Sequence, residues 1–233
     1  MNRSPRVRML ASVRSAEEAL FALQAGADVI DVKDPESGTL GSVARETLRE
    51  IVASVAGRRP VSATVGDLPL ALGSLRQAVG LTAECGVDFV KVGIFEEGFP
   101  LEPIQALPPA VAGVRLVAVL FADRAAPPPQ ASAHLAAAGW HGVMLDTARK
   151  TGGSLRDWTD EDWLADFVRQ ARGAGLLVGL AGSLREDDIG PLAALGPDYL
   201  GFRGALCAGA QRDACLDPAR VRAVRARLDR ATA

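Results

Sequence analysis

The chain has 233 residues, 48% hydrophobic and 23% charged, enough for a full core in one large α/β domain or two small ones. A net charge of −2 leaves no cationic surplus to neutralise a nucleic-acid backbone, so nucleic-acid binding is not expected and anionic small molecules stay open. No uncharged stretch reaches the roughly 18–20 residues of a membrane span, and the basic N-terminus MNRSPRVRMLASV has too short an apolar run for a signal peptide; a cytoplasmic protein without a membrane partner is expected. Cys85, Cys207 and Cys215 are odd in number and scattered, fitting neither a disulfide framework nor a metal site, and are expected to be buried thiols.

Eight β-branched or apolar runs alternate with amphipathic segments at about 25–30 residues, the spacing of βαβ units. VRMLASV (7–13) is first, and Ser15 with Glu18 spells a capping box for a helix over EEALFALQAGA. DVIDVK (28–33), VSATV (61–65), DFVKVGI (88–94) and RLVAVLF (115–121) follow as strands two to five. The Pro-rich AAPPPQ (125–130) is a loop, and GVMLD (142–146) is the sixth strand. Thr159 with Asp162 makes a looser capping box before WLADFVRQARGAG, and LLVGLAG (176–182) and DYLGFRG (198–204) complete the set. Glycines in the recurring "AG-A-D" and "CGVD" phrases end helices just ahead of the next strand. The last helix, DPARVRAVRARLDRATA, carries basic residues expected to form a solvated face. Eight such units close into a (β/α)8 TIM barrel, a single α/β domain over residues 1–233. An open doubly wound sheet is the alternative, but SVRSAEEA after the first strand is not G-x-G-x-x-G.

Of 26 basic residues only three are lysine, Lys33, Lys91 and Lys150; the rest are arginine. Arginine keeps its proton at any usable pH and forms no Schiff base, so the surviving lysines carry information. On a strand, residues two apart share a face. Val29, Asp31 and Lys33 therefore point one way and Ile30 and Val32 the other, which places Asp31 and Lys33 inside the barrel near its C-terminal end. Phe89 and Lys91 share the inner face of the fourth strand, Met144 and Asp146 that of the sixth, and Ser62 and Thr64 that of the third. Lys150 follows Asp146 by four residues in the loop TARKTGGSL. All three lysines thus fall at the C-terminal mouth, where TIM-barrel active sites are built. A single Lys–Asp pair there could be a structural ion pair; three lysines on different strands are better explained by chemistry. Two ammonium groups crowded on strands two and four would favour a free amine. Lys33 is then a nucleophile or its electrostatic partner, with Asp31 or Asp146 moving protons. At the last two strands, AGSLRE (181–186) and GFRGAL (201–206) present small residues and backbone N–H groups suited to phosphate, the first opening a helix at Ser183, with Arg203 as a further cation. Gly182, Ser183, Arg203 and Gly204 are the candidate phosphate ligands, and Ser62 and Thr64 candidate substrate contacts.

With DVIDVKDPESGTLG, VSATVGDLP, DFVKVG, MLDTARKTGGSL, LAGSLR and GFRGALC in this order, the chain resembles the (5-formylfuran-3-yl)methyl phosphate synthase family of methanofuran biosynthesis over nearly its whole length. The resemblance implies a lyase that condenses two glyceraldehyde 3-phosphate molecules into a furan aldehyde phosphate, releasing phosphate and water, without metal or organic cofactor. It makes Lys33 the Schiff-base residue, matches Asp31, Lys91, Asp146 and Lys150 to the family's catalytic segments, and gives LAGSLR and the turn at Arg203 to substrate phosphate. The expected partner is a triose phosphate, bound by a homo-oligomer. DVKDPE is also similar to the D-x-K-x-x-D of orotidine monophosphate decarboxylase-like barrels, but position 36 is Glu. A class I aldolase would share the Schiff base without releasing phosphate, and a non-catalytic phosphosugar sensor would keep its affinity in Lys33→Arg. His134 and His141 are expected to be surface or packing residues rather than catalysts, and Trp158 and Trp163 to pack on helices.

Overall fold

The computed structural model describes residues 6–96, 98–124, 126–149 and 152–232. The eight expected strands are all there, as β1 (Arg8–Val13), β2 (Val29–Val32), β3 (Val61–Thr64), β4 (Phe89–Gly93), β5 (Leu116–Phe121), β6 (Gly142–Asp146), β7 (Leu177–Leu180) and β8 (Tyr199–Phe202). They pair in parallel in chain order and β8 returns to β1, so the barrel closes. Around it lie α1 (Ala16–Gln24), α2 (Arg45–Val55), α3 (Leu72–Ala83), α4 (Leu101–Ala110), α5 (Ala131–Ala138), α6 (Glu161–Gly173), α7 (Ile189–Ala194) and α8 (Pro218–Ala231). None of the described helices is long and apolar enough to cross a membrane.

The strands' period of two sorts their side chains into two cores. Outward residues such as Ile30, Val32, Val90 and Val92 pack with Ile51 and Leu75 of the helices. Each fully buried Ile or Leu there stabilises by about 1.5–3 kcal/mol. Inside, Leu10, Val29, Val117, Val119, Met144 and Tyr199 form a second cluster. Gly179 makes room for it, since a Cβ built there would lie 2.2 Å from Tyr199 Cζ.

Three aspartates at strand starts clasp the strand before them. Asp28 donates its N–H to Met9 O at 2.9 Å while its carboxylate accepts from Met9 N at 2.8 Å. Asp88 does the same to Val61, and Asp198 to Val178, with bonds of 2.7–2.9 Å. Gly26 and Gly86, just ahead of two of these aspartates, have φ of 88° and 86°, as the helix-ending reading requires.

Several local expectations need correction. Ser15 Oγ does accept from Glu18 N at 3.2 Å. The Glu18 carboxylate, however, bonds Arg14 N and the Arg203 guanidinium, a stronger partner than its own cap. Asp160, not Thr159, caps α6 by accepting from Trp163 N at 2.7 Å, because Thr159 Oγ1 donates to Leu155 O instead. Ser183 opens no helix: its φ is 49°, and helical structure resumes only at Glu186. Cys85 and Cys207 are buried but Cys215 is exposed, on an irregular stretch after β8. The last helix is not wholly solvated either, as Arg225 is buried between Asp28 at 2.7 Å and Asp229 at 2.8 Å.

Candidate active site

Register aligns Ser12 of β1, Asp31 of β2 and Ser62 of β3 in one row across the inner face. Asp31 is completely buried, and a buried carboxylate must be matched by donors. Ser12 Oγ donates to Oδ2 at 3.0 Å and Ser62 Oγ to Oδ1 at 2.6 Å. Lys91 Nζ completes the set at 2.7 Å from Oδ1, with Met144 Sδ 3.7 Å away on its other side. Lys91 is therefore held in an ion pair with the β2 carboxylate, which corrects the expectation that its ammonium crowds Lys33 without a counter-charge. Burial and the Asp31 charge push the phenol of Tyr199, on the same floor, well above its ordinary value, so it remains a neutral hydroxyl.

Above this floor opens a cavity of about 480 Å³, a size suited to a small molecule. Ser12, Asp31, Lys33 and Asp146 line it together with residues 182–186 after β7 and 201–205 at the end of β8. Lys33 is 8% exposed and sits where its backbone N–H still bonds Val13 O at 3.0 Å, so the strand register sets the base of its side chain. The segment that follows it is closed on itself. Asp34 N bonds Gly41 O at 2.8 Å, and the Asp34 carboxylate accepts from Ser37 Oγ and from Glu36 N. The Ser37 hydroxyl is the main reason that carboxyl titrates below its ordinary value. Gly41 is required because a Cβ there would meet Asp34 O at 2.3 Å. Asp67 accepts from Thr39 N and Leu40 N at 2.8 and 2.7 Å, and Thr39 Oγ1 donates to Ala148 O at 3.0 Å. DPESGTLG thus forms a braced turn that ties the lysine's strand to the loops after β3 and β6.

Asp146, at the end of β6, is 3% exposed and accepts from Thr147 N at 2.7 Å. Lys150 lies outside the described residues. Gly182 has φ 107° and backs onto Thr147, whose Cγ2 a Cβ would meet at 2.8 Å; Ser183 follows in the left-handed region. Such strained backbone gathers at ligand sites. Ser62 and Thr64 are inside the barrel but do not line the cavity: Ser62 serves Asp31, and Thr64 Oγ1 donates to Gly41 O at 3.0 Å.

Arg203 reaches the cavity wall but is not positioned as a phosphate ligand. Its Nε donates to Arg212 O at 2.8 Å, Nη1 to Ser12 O and Glu18 Oε2, and Nη2 to Glu18 Oε1 and Ala214 O. All five N–H groups are spent inside the protein. Glu18 makes the difference, and its place beneath β8 was invisible in a sequence that puts it on the first helix. Residues missed on the wall are Ser12, Arg212 and Arg220. The two-residue period of RMLASV could have found Ser12 beside Leu10, whereas the irregular stretch carrying Arg212 has no pattern to read.

The cavity, its lysine and its glycine turns can be set beside known proteins. The model of the 4-HFC-P synthase family matches residues 9–225. A Methylorubrum extorquens protein, provisionally named as a (5-formylfuran-3-yl)methyl phosphate synthase, is 48% identical over 94% of this chain and 90% of its own. The (5-formylfuran-3-yl)methyl phosphate synthase of Methanopyrus kandleri is 40% identical over 89% of this chain and 92% of its own. Among solved structures, phosphoribosyl anthranilate isomerase from Thermus thermophilus superposes with a TM-score of 0.68 at 19% identity, covering 96% of this chain and 99% of that one. Thiamine phosphate pyrophosphorylase from Pyrococcus furiosus gives 0.66 at 12%, covering 98% of each. At those identities the structures show the TIM-barrel fold alone. The family match across the barrel and both relatives agree: this chain belongs to the 4-HFC-P synthase family of enzymes.

Proposed function

We propose that this enzyme condenses two molecules of glyceraldehyde 3-phosphate into (5-formylfuran-3-yl)methyl phosphate, in methanofuran biosynthesis, through an imine on Lys33. One observation carries the reading: Lys33 lines a cavity together with two carboxylates, Asp31 and Asp146, and with glycine turns able to hold phosphate. The names of the family and of its relatives support the product.

The Lys33 amine adds to the aldehyde of one triose phosphate and loses water, giving an iminium whose neighbouring C–H is acidic. Asp146, at the cavity wall, takes that proton, and the resulting enamine attacks the aldehyde carbon of the second molecule. Ring closure then expels one inorganic phosphate and, with hydrolysis of the imine, a net two waters for each furan formed, and aromaticity drives the sequence forward. The Asp31–Lys91 pair with its two serines fixes the charge under the reacting carbons. Lys150 is proposed to assist proton movement from the loop after β6, and Gly182, Ser183 and Gly204 to hold phosphate through backbone N–H groups.

Incubation with glyceraldehyde 3-phosphate should give a furan-like ultraviolet chromophore and one phosphate per furan. Borohydride should trap a covalent adduct that Lys33→Ala abolishes. An intact protein that gives no chromophore rules the assignment out, and an adduct without phosphate release would identify an ordinary aldolase.

A further inference from the structure

We propose that Arg212 is the residue that selects the substrate's phosphate group, and that Arg203, which sequence alone would cast in that role, is the buried positioning residue that presents it. The inference rests on the phosphosugar reading above and deepens it.

Arg203 has no donor left for a ligand, since its guanidinium is shared among Ser12 O, the Glu18 carboxylate and two carbonyls, those of Arg212 and Ala214. The last two bonds staple the irregular stretch after β8 to the barrel rim. The Arg212 side chain consequently lies in the cavity wall, 24% exposed. Its own contacts are long: Nη2 is 3.3 Å from Gly38 O, and Nε is 3.8 Å from Asp213, an exposed carboxylate. The other arginines on the wall are held more closely, Arg185 by Asp157 at 3.1 Å and Arg220 by Ala205 O at 3.0 Å. Arg212 also adjoins the glycine turn, as a Cβ built on Gly204 would lie 3.9 Å from Arg212 Cβ and from its backbone N. Backbone donors of the turn and a planar guanidinium therefore meet in one space, the arrangement that binds a phosphate monoester bidentately.

Arg212→Ala is a clean test, because Arg203 holds the backbone carbonyl of residue 212 and not its side chain. Calorimetric titration with inorganic phosphate should show roughly ten- to a hundredfold weaker binding in Arg212→Ala and an intermediate loss in Arg212→Lys, the range expected for a charge-assisted hydrogen bond. In borohydride trapping, Arg212→Ala should lose the preference for glyceraldehyde 3-phosphate over unphosphorylated glyceraldehyde. Arg203→Lys, checked for native circular dichroism, should raise the KM for glyceraldehyde 3-phosphate far more than it lowers kcat. Unchanged phosphate affinity and preference in Arg212→Ala overturn the assignment, and an unchanged KM in folded Arg203→Lys overturns the positioning role. If the wild type forms no furan yet Arg212→Ala still loses phosphate, the furan reaction falls and Arg212's assignment stands.

Discussion

Lys91→Met tests whether the pair beneath the cavity behaves as a buried ion pair. The substitution keeps a long, flexible apolar side chain and removes only the ammonium, leaving Asp31 without its cation. The two side chains are 3% and 1% exposed and 2.7 Å apart, so solvent cannot replace the lost partner. Breaking a buried pair costs about 3–5 kcal/mol. The Ser12 and Ser62 hydroxyls still serve the carboxylate at 3.0 and 2.6 Å, which places the expected loss near the lower end, about 3 kcal/mol. For a chain of this length that is a fall in Tm of roughly 6–12 °C. Urea unfolding followed by circular dichroism measures it directly. The double variant Asp31→Asn with Lys91→Met removes both charges and should recover at least half of the deficit. A single variant as stable as the wild type, or a double variant no better than the single one, would refute the description of this floor.

Three further outcomes follow from the structure. Cys215 should react with a thiol reagent at neutral pH, while Cys85 and Cys207 react only on unfolding, since burial pushes the Cys207 thiol up to about 11; labelling with mass mapping checks this. Burial and the nearby Arg115 lower the His141 imidazole below its ordinary value, so in acid the unfolded chain binds the extra proton more readily. Stability should therefore climb with pH from that lowered value up to about 6.5 and then level off, and His141→Phe should flatten the climb in urea midpoints taken between about pH 5 and 8. Gly179→Ala forces a methyl against the Tyr199 ring and should cost about 1–3 kcal/mol, with rescue by Tyr199→Leu; thermal melts of the two variants decide it.

The barrel could be read from sequence because the strands are short apolar runs, most of them β-branched and followed by a glycine or aspartate, and because period two needs only the neighbours on one strand. That same rule put Asp31, Lys33, Lys91 and Asp146 inside. It could not say which carboxylate faces which lysine, since the stagger between β2 and β4 is a property of the closed sheet. Three of the corrections share one origin. Glu18, Arg203 and Arg225 each looked explained by a local role, as cap, ligand or surface charge, yet each is buried against a partner at least 185 residues away. A strong local signal hides a distant bond, and no period connects α1 to β8 or α8 to β2.

The paired bonds of Asp28, Asp88 and Asp198 act as keys for alignment. Each aspartate grips both polar atoms of one residue on the preceding strand, so a slip by a single position would break two contacts at once. In a sheet the same slip reverses every side chain, sending Asp31 and Lys33 out among the helices. A trio of carboxylates at the starts of the strands thus helps to fix which way Lys33 points at their other ends.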